Sequence, residues 1–148
     1  VIADDRGLAA VARVREVREQ DSRMGLVHAD REHRAVVARA EELDHLVDTH
    51  QAAAGEPLPA GQWAAQRTVL GTVAAAARRT HREADAAGVV RTAAQEHWQQ
   101  DRSRLRAVET LLERRAEARR AEAARAEGRL LDDLGAQRWL RAREEQAE

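Results

Sequence analysis

The chain has 148 residues, the size of one ordinary domain, yet it holds 3 Trp, no Phe, no Tyr and no Cys. Charged residues make up 34%, and most of the 43% hydrophobic share is alanine, so a thick core with large side chains is excluded. The 25 basic and 26 acidic residues nearly cancel, which removes the electrostatic footprint of a nucleic-acid binder, and the lack of cysteine removes disulfides, thiol catalysis and thiolate metal sites.

Ala, Leu, Arg, Glu and Gln dominate, and these are strong helix formers. The expected class is all-α: a long antiparallel two-helix coiled-coil hairpin with a longer second helix, one domain over residues 1–148. The opening "VIADDRGLAAV" lacks the basic region and apolar run of a secretory signal. Helix 1 is predicted over about residues 8–54. Its periodicity is uneven: Val14 and Val17 suggest one register, while Val36, Ala40, Leu43 and Val47 suggest another. A register shift is therefore expected around Met24 to Val27, where Gly25 would allow it.

The only two prolines, Pro57 and Pro59, lie in "AAAGEPLPAG" between Gly55 and Gly61. They fix two φ angles and remove two amide donors, so the reversal is placed at about residues 55–61. Helix 2 is predicted over about 62–143. Counting in sevens from Trp63 gives Leu70, Ala77, Ala84, Arg91, Trp98, Leu105, Leu112, Arg119, Ala126, Asp133 and Leu140, mostly apolar. Val73, Ala87, Ala94, Val108 and Ala136 follow three residues behind. A seven-residue repeat of this length signals left-handed two-helix packing. A turn centred near 57 to 58 gives partners whose numbers sum to about 115, so Trp98 should face Val17 and Leu70 the region of His45 to Leu46. Helix 1 would then run out near Leu8. Residues beyond about 110 would have no partner, although Leu111, Leu112, Leu130, Leu131, Leu134, Trp139 and Leu140 are apolar, and such a helix calls for a partner.

Possible chemistry is thin. His28 and His33 flank acids in "HADREH", but five residues apart on a helix is a poor chelating spacing, and no HExxH occurs. No metal or other cofactor is expected. His97 and Asp101 share a face as a helix-stabilising pair, with no nucleophile or pocket in view, so no catalytic residues are expected. The arginines of "RRAEARRAEAARAEGR" interleave with Glu117, Glu122 and Glu127 as a solvated, mutually paired face. Trp139, alone near the end of a polar helix, has the character of an interface anchor. No apolar run approaches the roughly 20 residues that span a bilayer.

Three stretches together resemble the flagellar type III export protein FliJ family over essentially the whole chain. They are "LAAVARVREVREQDSR" near the start, "QWAAQRTVLGTV" opening helix 2, and "LRAVETLLERRAEARRAEAARAEGRLLDDL" ending in Leu131, Asp132 and Asp133. Asp133 departs from the family's usual Glu, and Gly135 stands where Ala is common. The resemblance implies a non-enzymatic, cytoplasmic stalk at the flagellar base, on the inner face of the membrane without inserting into it. Its implied partners are the export ATPase ring, the cytoplasmic domain of the export gate and substrate chaperones, with no nucleic acid. The gate-facing positions carried over are Val69, Val73, Ala76 and Thr80. The ATPase-facing shaft would include Arg125, Glu127, Leu131, Asp132, Asp133, Arg138 and Trp139. A virulence-type secretion stalk or an unrelated scaffold coil would share the same hairpin.

Overall fold

A computed structural model describes residues 2–53 and 59–145, and everything described is helix except Pro59. Helix α1 spans Ile2–Ala53 and α2 spans Ala60–Glu145. They form the antiparallel coiled-coil hairpin, with α2 the longer at 86 residues against 52. Pro59 opens α2: its carbonyl accepts the Trp63 backbone N–H at 3.0 Å, the first bond of the helical ladder. Proline is tolerated here because its missing N–H is not needed before the first turn. The rest of the predicted reversal, residues 55–58, lies outside the described residues.

In α2 the buried and half-buried positions step by three and four from Leu70 through Val73, Ala77, Thr80 and onward to Leu112 and Arg115. This is the sevenfold seam with its companions, as read from the sequence, over that range. Trp63 stays 50% exposed, and Arg119, Ala126, Asp133 and Leu140 are exposed.

The seam in α1 corrects the expected register shift. Inward positions step by three and four without interruption from Asp5 and Leu8 through Ala12, Arg15, Glu19, Ser22 and Leu26 to Val47 and His50. The register of Val36, Ala40, Leu43 and Val47 thus continues unbroken to the start of the helix. Val14 and Val17 belong to the outer face, with Val17 58% exposed. Helix geometry does not loosen near Gly25, whose side faces open space. The physical reason is that polar side chains occupy the seam in this half of α1, while aliphatics sit outside it.

The chain packs as two units, Arg15–Ser103, and Val1–Val14 with Arg104–Glu148. In the first unit the fully covered positions are small: Ala29, Ala40, Ala77, Ala84 and Thr80, with Asp101 at 4% exposure. Ala40, at 1%, is the most covered of them. Small seam residues let helix backbones approach closely, so packing here relies on many short contacts.

Pairing across this unit fixes the register. Trp98 Nε1 donates to Glu19 Oε1 at 2.8 Å, Arg91 Nε donates to Asp30 Oδ1 at 2.8 Å, and His81 Nε2 lies 2.8 Å from Asp44 Oδ2. The numbers in these pairs add up to between 117 and 125, above the expected total of about 115 in every case. Charged and hydrogen-bonding partners of the two helices meet at this offset. Trp98 accordingly meets Glu19, not Val17. Replacing Trp98 by Ala should cost about 3 kcal/mol or less, because a large but half-exposed side chain is lost and Glu19 loses its donor. Urea unfolding of Trp98→Ala should show this loss; an unchanged midpoint would contradict the packing.

In the second unit Asp5 accepts from Arg115 Nη1 at 3.5 Å and also pairs with Arg119. Helix α1 therefore reaches further than Leu8, and α2 is partnered past residue 110. An acidic side chain in the first turns of a helix is also favoured by the helix dipole.

Candidate docking site

The most exposed run of the chain follows from that pairing. Leu112, Arg115 and Ala116 are the last partly covered side chains of α2; every described side chain from 117 to 143 is exposed. This interval contains all of Arg125, Glu127, Leu131, Asp132, Asp133, Arg138 and Trp139. At helical spacing Leu130, Leu131 and Leu134 share one face. Trp139 is 58% exposed on a different face, with the Arg143 guanidinium 5.1 Å from its ring centroid. Large apolar groups left on an otherwise charged helix are docking chemistry, not core chemistry.

The four positions near the start of α2 divide into two kinds. Val69 is exposed and Ala76 half-buried, beside the seam. Val73 and Thr80 are seam positions turned toward α1; Thr80 is buried, and its hydroxyl donates to the Ala76 carbonyl at 3.1 Å. The structure does not gather these four on one open surface.

A family model for the flagellar FliJ protein matches residues 5–144. The chain belongs to the FliJ family. No curated protein and no solved structure matches it. The match begins at Asp5, the residue that ties the start of α1 to Arg115, and runs through the exposed end of α2. Membership makes the chain a flagellar type III export component. No described helix is long and apolar enough to cross a membrane.

Three further histidines of the chain have polar partners. His28 lies 3.3 Å from Glu32, and His97 3.5 Å from the buried Asp101; His50 Nδ1 is 2.8 Å from the Leu46 carbonyl. Among the described residues no three His, Asp or Glu side chains come together as a metal cluster.

The charge pair that sequence reasoning missed is centred on Asp30, which accepts from Arg91 of α2 and from Arg34 one turn along its own helix. Its signal was an acid beside the seam of α1 and a base at a seam position of α2. Burial acts to raise the Asp30 carboxyl, but hydrogen bonds from Arg34 and Arg91, and then their charges, outweigh it and hold the group below its ordinary 3.8. A depressed carboxyl contributes stability that is complete above its unfolded value and is lost as pH falls through the lower folded value. Asp30→Asn should therefore lower the urea midpoint at neutral pH and shrink the further drop below about pH 4. Parallel pH profiles for the two proteins would rule out the linkage.

Proposed function

We propose that this FliJ-family chain acts as a non-enzymatic stalk of the flagellar export apparatus. Residues 117–143 of α2 enter the ring of the export ATPase, and the hairpin docks on the cytoplasmic domain of the export gate. The observation that carries the reading is the unbroken exposure of α2 after Ala116, with Leu130, Leu131, Leu134 and Trp139 uncovered on a stretch that α1 does not reach. A bare, charged helix with scattered apolar anchors can contact the inside of a ring at several heights. Arg125, Glu127, Asp132, Asp133 and Arg138 supply charged contacts around Leu131 and Trp139. Handling of substrate chaperones and a place at the inner face of the membrane belong to the same reading.

Of the gate-facing positions, Val69 is the one open to a partner without disturbing the hairpin, with Ala76 at its edge. Val73 and Thr80 support that surface from within the seam. Binding of the purified chain to the export ATPase and to the gate domain, measured separately by biolayer interferometry, tests both contacts. Val69→Asp should weaken the gate complex about tenfold or more, since an unpaired carboxylate would be desolvated, and leave ATPase binding unchanged. Failure of the parent chain to bind the ATPase would remove the stalk assignment.

A further inference from the structure

Helix α1 carries a second stripe that the hairpin leaves open. Val17, Asp21, Met24, His28, Arg31 and Ala35 follow one another in steps of four and three, the spacing of a coiled-coil seam, on the face of α1 turned away from α2. All six side chains are exposed, Met24 by 57%. The stripe lies wholly within the unit Arg15–Ser103 and on one unbroken helix.

Reversed, this stripe is complementary to itself. Taken from its two ends toward the middle, it sets Val17 against Ala35, Asp21 against Arg31 and Met24 against His28. Apolar meets apolar at the ends, acid meets base between them, and a thioether meets an imidazole at the centre. Among the described residues Arg18, Asp21 and Arg31 have no ion pair or hydrogen bond, so their charges are free for such a contact.

We propose that this face of α1 binds the same face of a second copy of the chain, antiparallel, about a twofold axis level with Leu26. Each of the three layers then occurs twice, so the contact is isologous and closes as a dimer. In an antiparallel pair each flank of the stripe meets the same flank of the other copy. One flank sets Arg18 beside Glu32, and the other sets Gln20 beside Arg34 and Val27 beside Val27. Arg18 and Asp21 of one copy thus cluster with Arg31 and Glu32 of the other, two bases among two acids. Arg18 and Arg34 lie on opposite flanks and stay apart. Helix α2 packs on the far side of α1 in each copy, so the hairpin needs no change. The apolar share of the contact is small, which makes the association weak and leaves its direction and register to the charges. This association is independent of the stalk assignment, since it involves only α1 of this chain.

The absence of cysteine makes the test clean. Val17→Cys and Ala35→Cys proteins, carrying tags of different size, are mixed at tens of micromolar and oxidised. The expected product is the mixed 17-to-35 disulfide in clear excess over both same-site products, because like-numbered residues sit at opposite ends of the contact. Sedimentation equilibrium of the parent should show a monomer–dimer equilibrium. Asp21→Arg should weaken it about tenfold or more by setting base against base twice, and adding Arg31→Asp to the same chain should restore it. Both positions are exposed, and circular dichroism should report unchanged helix in every variant. A parent that is monomeric at all concentrations, same-site disulfides as frequent as mixed ones, an Asp21→Arg protein that associates like the parent, or a double variant no better than Asp21→Arg alone would each overturn the proposal.

Discussion

On the stalk proposal, a chain ended after Ala116 should keep its hairpin and lose its effect on the flagellar export ATPase. The side chains removed from the described part are all exposed, so almost no apolar burial within the hairpin goes with them. Asp5 gives up its pairing with Arg119, and Arg115 remains to hold it. A single exposed ion pair contributes at most about 1 kcal/mol, so the melting midpoint should fall by no more than about 5 °C. The full chain should stimulate phosphate release by the purified ATPase, and the shortened one should leave it at its basal rate. Circular dichroism melts and a phosphate-release assay read the two halves of this result. Stimulation that survived the deletion would give residues 117–143 another role. Collapse of the hairpin would mean that its stability reaches beyond the seam that ends at Arg115.

Placing a carboxylate at Ala40 should do the reverse and unfold the hairpin while sparing the exposed end of α2. At 1% exposure Ala40 is the most covered position of the seam. An aspartate there would be desolvated with no cation assigned to it, at a cost of about 3 kcal/mol or more. Ala38, two residues away on the same helix, is exposed, and Ala38→Asp should stay within about 0.5 kcal/mol of the parent. Urea unfolding of the two variants at neutral pH compares one added charge at two depths. Equal midpoints would mean that Ala40 does not face α2.

Both results depend on a seam that was legible in α2 and misread in half of α1. In α2 the inward positions include Leu70, Val73, Trp98, Leu105 and Leu112, so a count of apolar residues in sevens finds them. In α1 the same geometry places Arg15, Glu19 and Ser22 inward and Val14, Val17 and Met24 outward. A search weighted by hydrophobicity follows the valines and invents a shift. The pairing offset was hidden for a related reason: it is marked by Asp30 with Arg91, Glu19 with Trp98 and Asp44 with His81, contacts that only a known register reveals. The exposed end of α2 was legible in kind, because leucines continue past any helix available to cover them. Its starting point was placed too early because Asp5 was not counted as part of α1. Family membership was readable from the order of patterns along the whole chain, which survives local changes such as Asp133 and Gly135. The mixture of covered and open positions among Val69, Val73, Ala76 and Thr80 was beyond a pattern that records spacing and not depth.

The alanine seam has a calorimetric consequence. Unfolding heat capacity comes mainly from newly hydrated apolar surface, and so does the slope of stability against denaturant. No large side chain in the described chain is fully buried, and the covered apolar positions are Ala29, Ala40, Ala77 and Ala84. Melting this hairpin exposes little surface that was dry before. Its heat-capacity increment per residue should fall below the roughly 12–15 cal/mol/K of globular domains, giving a shallow stability curve with little curvature. Such a molecule responds weakly to cooling and opens gradually on warming.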